Sequence, residues 1–186
     1  SGNNDAFTFV SGQGIDIDGA KPLMDIIAGI NQSCGRAFSL GVRLSPERFG
    51  QRTEEIRDLA ADLLVDPRID YLDMSLWDVF KDASDEAFSG ASLLKVFADL
   101  PRKGVALGAA GKLYSARDCE RAIEQGLDFV IIGRAAVVHA DFPAQALSNP
   151  AFKMLDLPVS RDHLASQGLS PTFIDYMASW KGFVAA

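Results

Sequence analysis

Apolar positions along this chain fall into two rhythms that alternate. Residues 20–33, AKPLMDIIAGINQS, place Leu23, Ile26, Ile27 and Ile30 at helical spacing. Residues 37–44, AFSLGVRL, form a short apolar run, and Pro46 and Gly50 break the chain after it. Residues 53–65, TEEIRDLAADLLV, carry Ile56, Leu59, Ala60, Leu63 and Leu64 on one helical face, with Thr53 as the expected N-cap and acids in the first turn. A second run, IDYLDMS, spans 69–75, and a loop to about residue 90 follows. Residues 91–100 read as helix and 104–109, GVALGA, as strand. Residues 115–125, SARDCERAIEQ, open on Ser115 and Asp118 in capping-box fashion and close on Gly126, where a C′ glycine belongs. A fourth strand, 128–133, and a helix, 141–148, complete the alternation.

Strand and helix exchanging in this way is the βαβ signature of a parallel sheet. The strands are nearly continuous apolar runs, as expected of strands covered on both faces. The pattern predicts four parallel strands in sequential order over 20–150, with helices outside. Residues 1–19, rich in Gly, Asn, Asp and Ser, read as loop or a poorly ordered leader. Residues 151–186 form a helical tail. Its apolar residues Leu164, Leu169, Phe173, Tyr176, Met177, Trp180 and Phe183 make a stripe expected to dock or form an interface.

The 186 residues and 48% hydrophobic content suffice for one core, or part of a larger one. The net charge of -7 comes without any basic cluster, which argues against nucleic-acid or anionic-membrane binding. Cys34 and Cys119 match no metal spacing and read as small, semi-buried helical residues. No run approaches the roughly 20 apolar residues of a membrane span, and the start lacks a basic n-region. The expectation is a cytoplasmic chain.

Ligands of parallel α/β folds bind outside the carboxyl ends of the strands. Two consecutive strands end there on a glycine and a cation, Gly111-Lys112 and Gly133-Arg134. Glycine admits close backbone approach to an anion, and a helix N-terminus offers unpaired N–H groups. The two pairs therefore read as a phosphate cradle, against the simpler alternative of tight βα turns. Arg43 is costly to bury unpaired within an apolar strand. It either meets a carboxylate from a neighbouring strand or points into a ligand site.

At these residues the chain resembles a known family. The segments LGVRLSPERFG, IDYLDMSLWDV and GAAGKLYSARDCERAIEQGLDFVIIGRAAVVHADFPAQAL are similar, in order and spacing, to the C-terminal half of the Old Yellow Enzyme family of FMN-dependent NAD(P)H oxidoreductases and ene-reductases. The resemblance covers about residues 20–150 and implies a TIM-barrel type (β/α) fold, of which about four βα units, half a barrel, lie in this chain. It implies FMN as cofactor and NAD(P)H as reductant. It places Arg43 near the pyrimidine side of the flavin and makes Gly111, Lys112, Gly133 and Arg134 the FMN phosphate site through backbone N–H groups. Lys112 departs from the glycine common there. Ser75 and Trp77 are candidates to line the site. The family's substrate-binding histidine pair has no counterpart in His139 or His163, nor its tyrosine donor in Tyr71, Tyr114 or Tyr176.

The first expectation is thus the FMN-phosphate-binding half of such an oxidoreductase, acting on a small molecule. The alternatives are a non-catalytic half-barrel that binds phosphate ligands or only assembles, and a different phosphate-binding barrel enzyme. Half a barrel leaves strand edges and inward faces uncovered. The inward residues are expected among Leu40, Val42, Leu72, Met74, Ala106, Val130 and Ile132. A homo-oligomer, or association with a missing N-terminal half, follows.

Overall fold

The computed structural model describes residues 7–10, 20–46 and 52–185. The strands are β1 (Phe7–Val10), β2 (Leu40–Leu44), β3 (Tyr71–Ser75), β4 (Ala106–Ala110) and β5 (Phe129–Ile131). They form one parallel sheet in the order β1-β2-β3-β4-β5. The order follows the chain without reversal, as in a singly wound barrel and unlike the doubly wound sheets, whose order reverses. The four sequence-read strands are present and parallel; each begins later than read, β5 also ends earlier, and β4 runs one residue further, to Ala110. β1 corrects the reading of 1–19 as loop: FTFV is short but rich in strand-forming types, and an edge strand needs a neighbour on one side only. The rest of that segment lies outside the described residues.

The helices are α1 (Ala20–Cys34), α2 (Thr53–Leu63), α3 (Leu93–Ala98), α4 (Ala116–Glu124), α5 (Arg134–Val138), α6 (Phe142–Ser148), α7 (Arg161–Ser166) and α8 (Pro171–Ala178). Thr53 is not the cap of α2. It is the first helical residue and is buried, while Arg52 takes the cap position without a side-chain bond. At α4 the Asp118 N–H donates to Ser115 Oγ at 3.1 Å, and the Asp118 carboxylate accepts from the Tyr114 N–H at 3.0 Å, one residue earlier than a standard capping box. Gly126, at φ +111°, ends the same helix as expected. Cys34 is exposed at the end of α1 and Cys119 half-buried, so only the second fits the semi-buried reading. None of the described helices is long and apolar enough to cross a membrane.

The chain divides into two compact units. One runs to Gly111 and includes Ala122–Ile131; the other comprises Lys112–Arg121 and Ile132–Ala186. These units divide the chain differently from the boundary read at residue 150. Ala135, Val138 and Phe142 share a core with Met154, Val159, Leu164, Ile174, Met177 and Phe183, so α5 and α6 belong with the tail. The apolar stripe of the tail is split: Leu164, Met177 and Phe183 are buried there, whereas Phe173, Tyr176 and Trp180 are exposed.

In the first unit, cross-strand register sorts the strand residues onto two faces. Val42, Leu72 and Leu107 align, as do Leu44, Met74, Ala109 and Val130. Apart from the half-buried Val130, these residues and Leu40 are at most 2% exposed, and with the buried stripes of α1, α2 and α3 they make up the core. The opposite face carries Gly41, Arg43, Tyr71, Asp73, Ser75, Ala106, Gly108, Ala110 and Phe129. Of the expected inward residues, Leu40, Val42, Leu72, Met74 and Val130 thus sit on the covered face, and Ala106 on the other. The larger aliphatics go where helices cover them. The second face is built from small residues, two rings and the Arg43–Asp73 pair. A Cβ on Gly41 would fall 2.1 Å from the Tyr71 ring, and one on Gly108 would fall 2.2 Å from that of Phe129. The two rings meet edge to face at 5.8 Å. These glycines leave room for rings lying on the sheet.

Strand starts share one device. Asp70, just before β3, accepts from the Leu40 N–H of β2 at 2.7 Å; Asp128, just before β5, accepts from the Leu107 N–H of β4 at 2.7 Å. Arg102 also pairs with Asp128. Each carboxylate satisfies a strand N–H near the sheet's N-terminal rim.

Candidate functional site

Arg43 meets a carboxylate from a neighbouring strand. Its Nη1 donates to Asp73 Oδ2 at 2.9 Å, and its Nη2 donates to Ser75 Oγ at 2.9 Å. Period 2 puts Asp73 and Ser75 on one face of β3, and the register sets Arg43 opposite Asp73. The guanidinium is therefore held by both of its terminal nitrogens. The Arg43 side chain keeps 29% of its surface exposed, against 6% for Asp73. Its face is the one the helices leave free. The arrangement combines a fixed plane, a positive charge and N–H groups that can still donate to a ligand.

Asp73 Oδ1 is buried without a hydrogen-bond partner. Burial outweighs the attraction of Arg43 and pushes the carboxyl up to about 6. Asp73 was not among the sequence-derived candidates. Its signal was present: an aspartate in an apolar strand, on the neighbour of the strand that carries an arginine. Ser75, a softer candidate, is in direct contact with Arg43. Trp77, just past β3, is 58% exposed.

The two glycine-cation pairs differ in what their glycines do. Gly111 sits at φ +153°, and a Cβ there would lie 1.6 Å from the Leu76 carbonyl oxygen. The Leu76 N–H donates to Ala110 at 2.8 Å and the Val79 N–H to Gly111 at 3.3 Å, so this glycine lets the loops after β3 and β4 touch. Its identity is already explained by packing. Lys112 is exposed and stands at φ 51°, in the left-handed region, where a non-glycine residue costs about 1–2 kcal/mol. The backbone there keeps a glycine-type conformation although the residue is lysine. Gly133 caps α5 with no side-chain bond, and a Cβ on it would meet nothing within 4 Å. Arg134 opens α5, and its Nη1 donates to Tyr114 Oη at 3.0 Å. That contact ties the start of α5 to the loop that carries Lys112.

Both histidines serve the second unit's backbone. His139 Nε2 accepts from the Leu155 N–H at 3.0 Å, His163 Nε2 lies 2.7 Å from the Val138 carbonyl, and the rings meet at 5.7 Å. Burial first, then the neighbouring His163, lower the pKa of His139. A histidine held neutral in the fold stabilises fully above its unfolded pKa of about 6.5, and that stability is lost as pH falls through the lower folded value. Melting temperature should therefore drop on acidification below pH 6.5, and His139→Gln should flatten the drop. An identical pH profile in the variant would refute this role. Among the described residues no His, Cys, Asp and Glu group could hold a metal ion.

No family model matches the chain. It is 35% identical over 105 residues to the Bacillus subtilis (strain 168) protein named "Probable NADH-dependent flavin oxidoreductase YqiG", covering 55% of this chain and 28% of that protein. Among solved structures it is similar to morphinone reductase in complex with tetrahydroNAD, at a TM-score of 0.54 and 22% identity, over 81% of this chain and 39% of that one. A variant of NCR from Zymomonas mobilis gives 0.50 and 20%, over 72% and 42%. At these identities the structural likeness speaks for the fold. The chain thus spans well under half the length of each of these relatives.

Proposed function

We propose that this chain, whose similarities fall to members of the Old Yellow Enzyme family over part of their length, supplies the FMN-binding half of an NAD(P)H-dependent flavin oxidoreductase of the ene-reductase type. The observation that carries the proposal is Arg43, fixed by Asp73 and Ser75 on the face of a parallel, barrel-type sheet that the helices leave free. A cation held there suits a flavin ring whose pyrimidine side becomes negative on reduction. Gly133 and Arg134, with space over the glycine and the first amides of α5, suit a phosphate, and Lys112 contributes a backbone N–H. Gly111 packs the loop after β4 against the loop after β3. When bound, the flavin supplies hydride transfer from NAD(P)H to an acceptor; the chain's own residues bind, orient and set charge.

Among the described residues no strand pairs with the outer edges of β1 and β5, and a complementary half or a second copy is proposed to cover them. Titration with FMN, followed by flavin fluorescence, should show saturable binding that Arg134→Ala weakens about tenfold. Arg161→Ala, which removes an exposed arginine paired with Asp175, should leave it unchanged. Light scattering on the same sample should give a mass above that of one chain. Equal affinities for the two variants, or a monomer, would count against the corresponding part.

A further inference from the structure

We infer that Asp73 is the positioning residue for Arg43: it fixes the guanidinium plane and, by its own charge, moderates the positive potential that Arg43 delivers to a ligand on the free face of the sheet. The inference deepens the flavin-binding proposal and rests on it for the identity of the ligand. Its geometric basis is independent. Oδ2 of Asp73 takes one terminal nitrogen of Arg43, and Ser75 Oγ takes the other. An arginine held at two points cannot rotate its fork without breaking one bond, so the orientation of its remaining N–H groups is set from β3.

The two oxygens of Asp73 are not equivalent. Oδ2 is paired; Oδ1 is buried and has no partner. A proton arriving at the carboxyl goes to Oδ1, which leaves Oδ2 free to keep accepting from Arg43. The bond therefore survives protonation while the negative charge does not. Below about pH 6, where Asp73 takes up its proton, the site changes from a neutral pair to a net cation. The surroundings add little to this change. Arg43 is the charged group that acts on Asp73. Ser75 and Tyr71 lie on its own strand, and Gly108 and Ala110 on β4 carry no charge. Val10 of β1 is the register partner of Arg43.

The test is a double-mutant cycle on the full chain, read as FMN affinity from pH 5 to 8. Asp73→Ala should weaken FMN binding about tenfold in the wild-type background and change it less than twofold in Arg43→Ala. Asp73→Asn, which keeps an acceptor, should bind FMN at least as well as wild type at pH 8. Wild-type affinity relative to Asp73→Asn should rise as pH falls through 6, because protonation makes the two alike. The phosphate's own titration is common to both proteins and cancels in this ratio. Equal losses for Asp73→Ala in both backgrounds, or a ratio that does not vary with pH, would overturn the inference. If no variant and no wild type binds FMN, the flavin proposal fails. The positioning role is then decided by nitrogen-15 spectra of the Arg43 guanidinium. Rotation slowed in wild type and Asp73→Asn but freed in Asp73→Ala supports it, and rotation unaltered in Asp73→Ala overturns it.

Discussion

Gly111→Ala should lower the melting temperature by about 10 °C or more. The added Cβ would lie 1.6 Å from the Leu76 carbonyl oxygen, a backbone atom that no rotamer change can move aside. The φ of +153° adds strain for any residue with a Cβ. Relief requires the loops after β3 and β4 to part. That sacrifices the Leu76–Ala110 and Val79–Gly111 hydrogen bonds, each worth about 1 kcal/mol. With the strain, the total reaches about 4 kcal/mol, and a chain of this size loses about 2–4 °C per kcal/mol. Gly133→Ala is the comparison. Its Cβ meets nothing within 4 Å and its φ of -97° is open to any residue, so its melting temperature should stay close to wild type. Thermal unfolding of the two variants side by side checks the contrast. A melting temperature for Gly111→Ala within 3 °C of wild type would contradict the packing role. The contrast also bears on function: loss of ligand binding in Gly111→Ala would report on the fold, whereas loss in a stably folded Gly133→Ala would report on the cradle.

Much of this fold was legible in the sequence because βα alternation and capping are local signals. Ser115, Asp118 and Gly126 bracket α4 as their residue types suggest. Where the reading failed, the deciding contacts were distant ones. Runs such as LGVRL and YLDMS are apolar with little alternation, so they do not say which parity faces the helices. The register does, and it puts Leu40, Val42, Leu72 and Met74 on the covered face. The four residues of β1 were hidden by the Gly, Asn and Ser around them. The unit boundary depends on Phe142 packing among tail residues more than ten positions away, which no periodicity announces. At the site, Arg43 stood out because an unpaired cation in a strand is costly. Asp73 did not, because an aspartate in a strand becomes a partner for Arg43 only once the register sets the two opposite each other.

Arg43→Ala should weaken flavin binding by about 10- to 100-fold, the range of about 1.5–3 kcal/mol for a hydrogen bond to a charged group. The loss should be the same for FMN and for riboflavin, since Arg43 is assigned to the ring and both ligands carry it. Asp73 would be left buried without its counter-charge, so its carboxyl should rise further above about 6. The sign of the stability effect follows. A carboxyl raised in the fold stabilises below its unfolded pKa of about 4, and that contribution is lost as pH rises through the folded value. The variant should therefore be most destabilised above pH 7 and closest to wild type near pH 5.

The central claim has two parts: we propose that Arg43 holds the flavin ring and that Gly133-Arg134 holds the phosphate. Comparison of FMN with riboflavin across wild type, Arg43→Ala and Arg134→Ala tests it most directly. Wild type should bind FMN more tightly than riboflavin. Arg43→Ala should weaken both ligands by a common factor, and Arg134→Ala should weaken FMN alone and cut its advantage about tenfold. FMN and riboflavin bound equally by wild type, or the same pattern of loss in both variants, would contradict the claim.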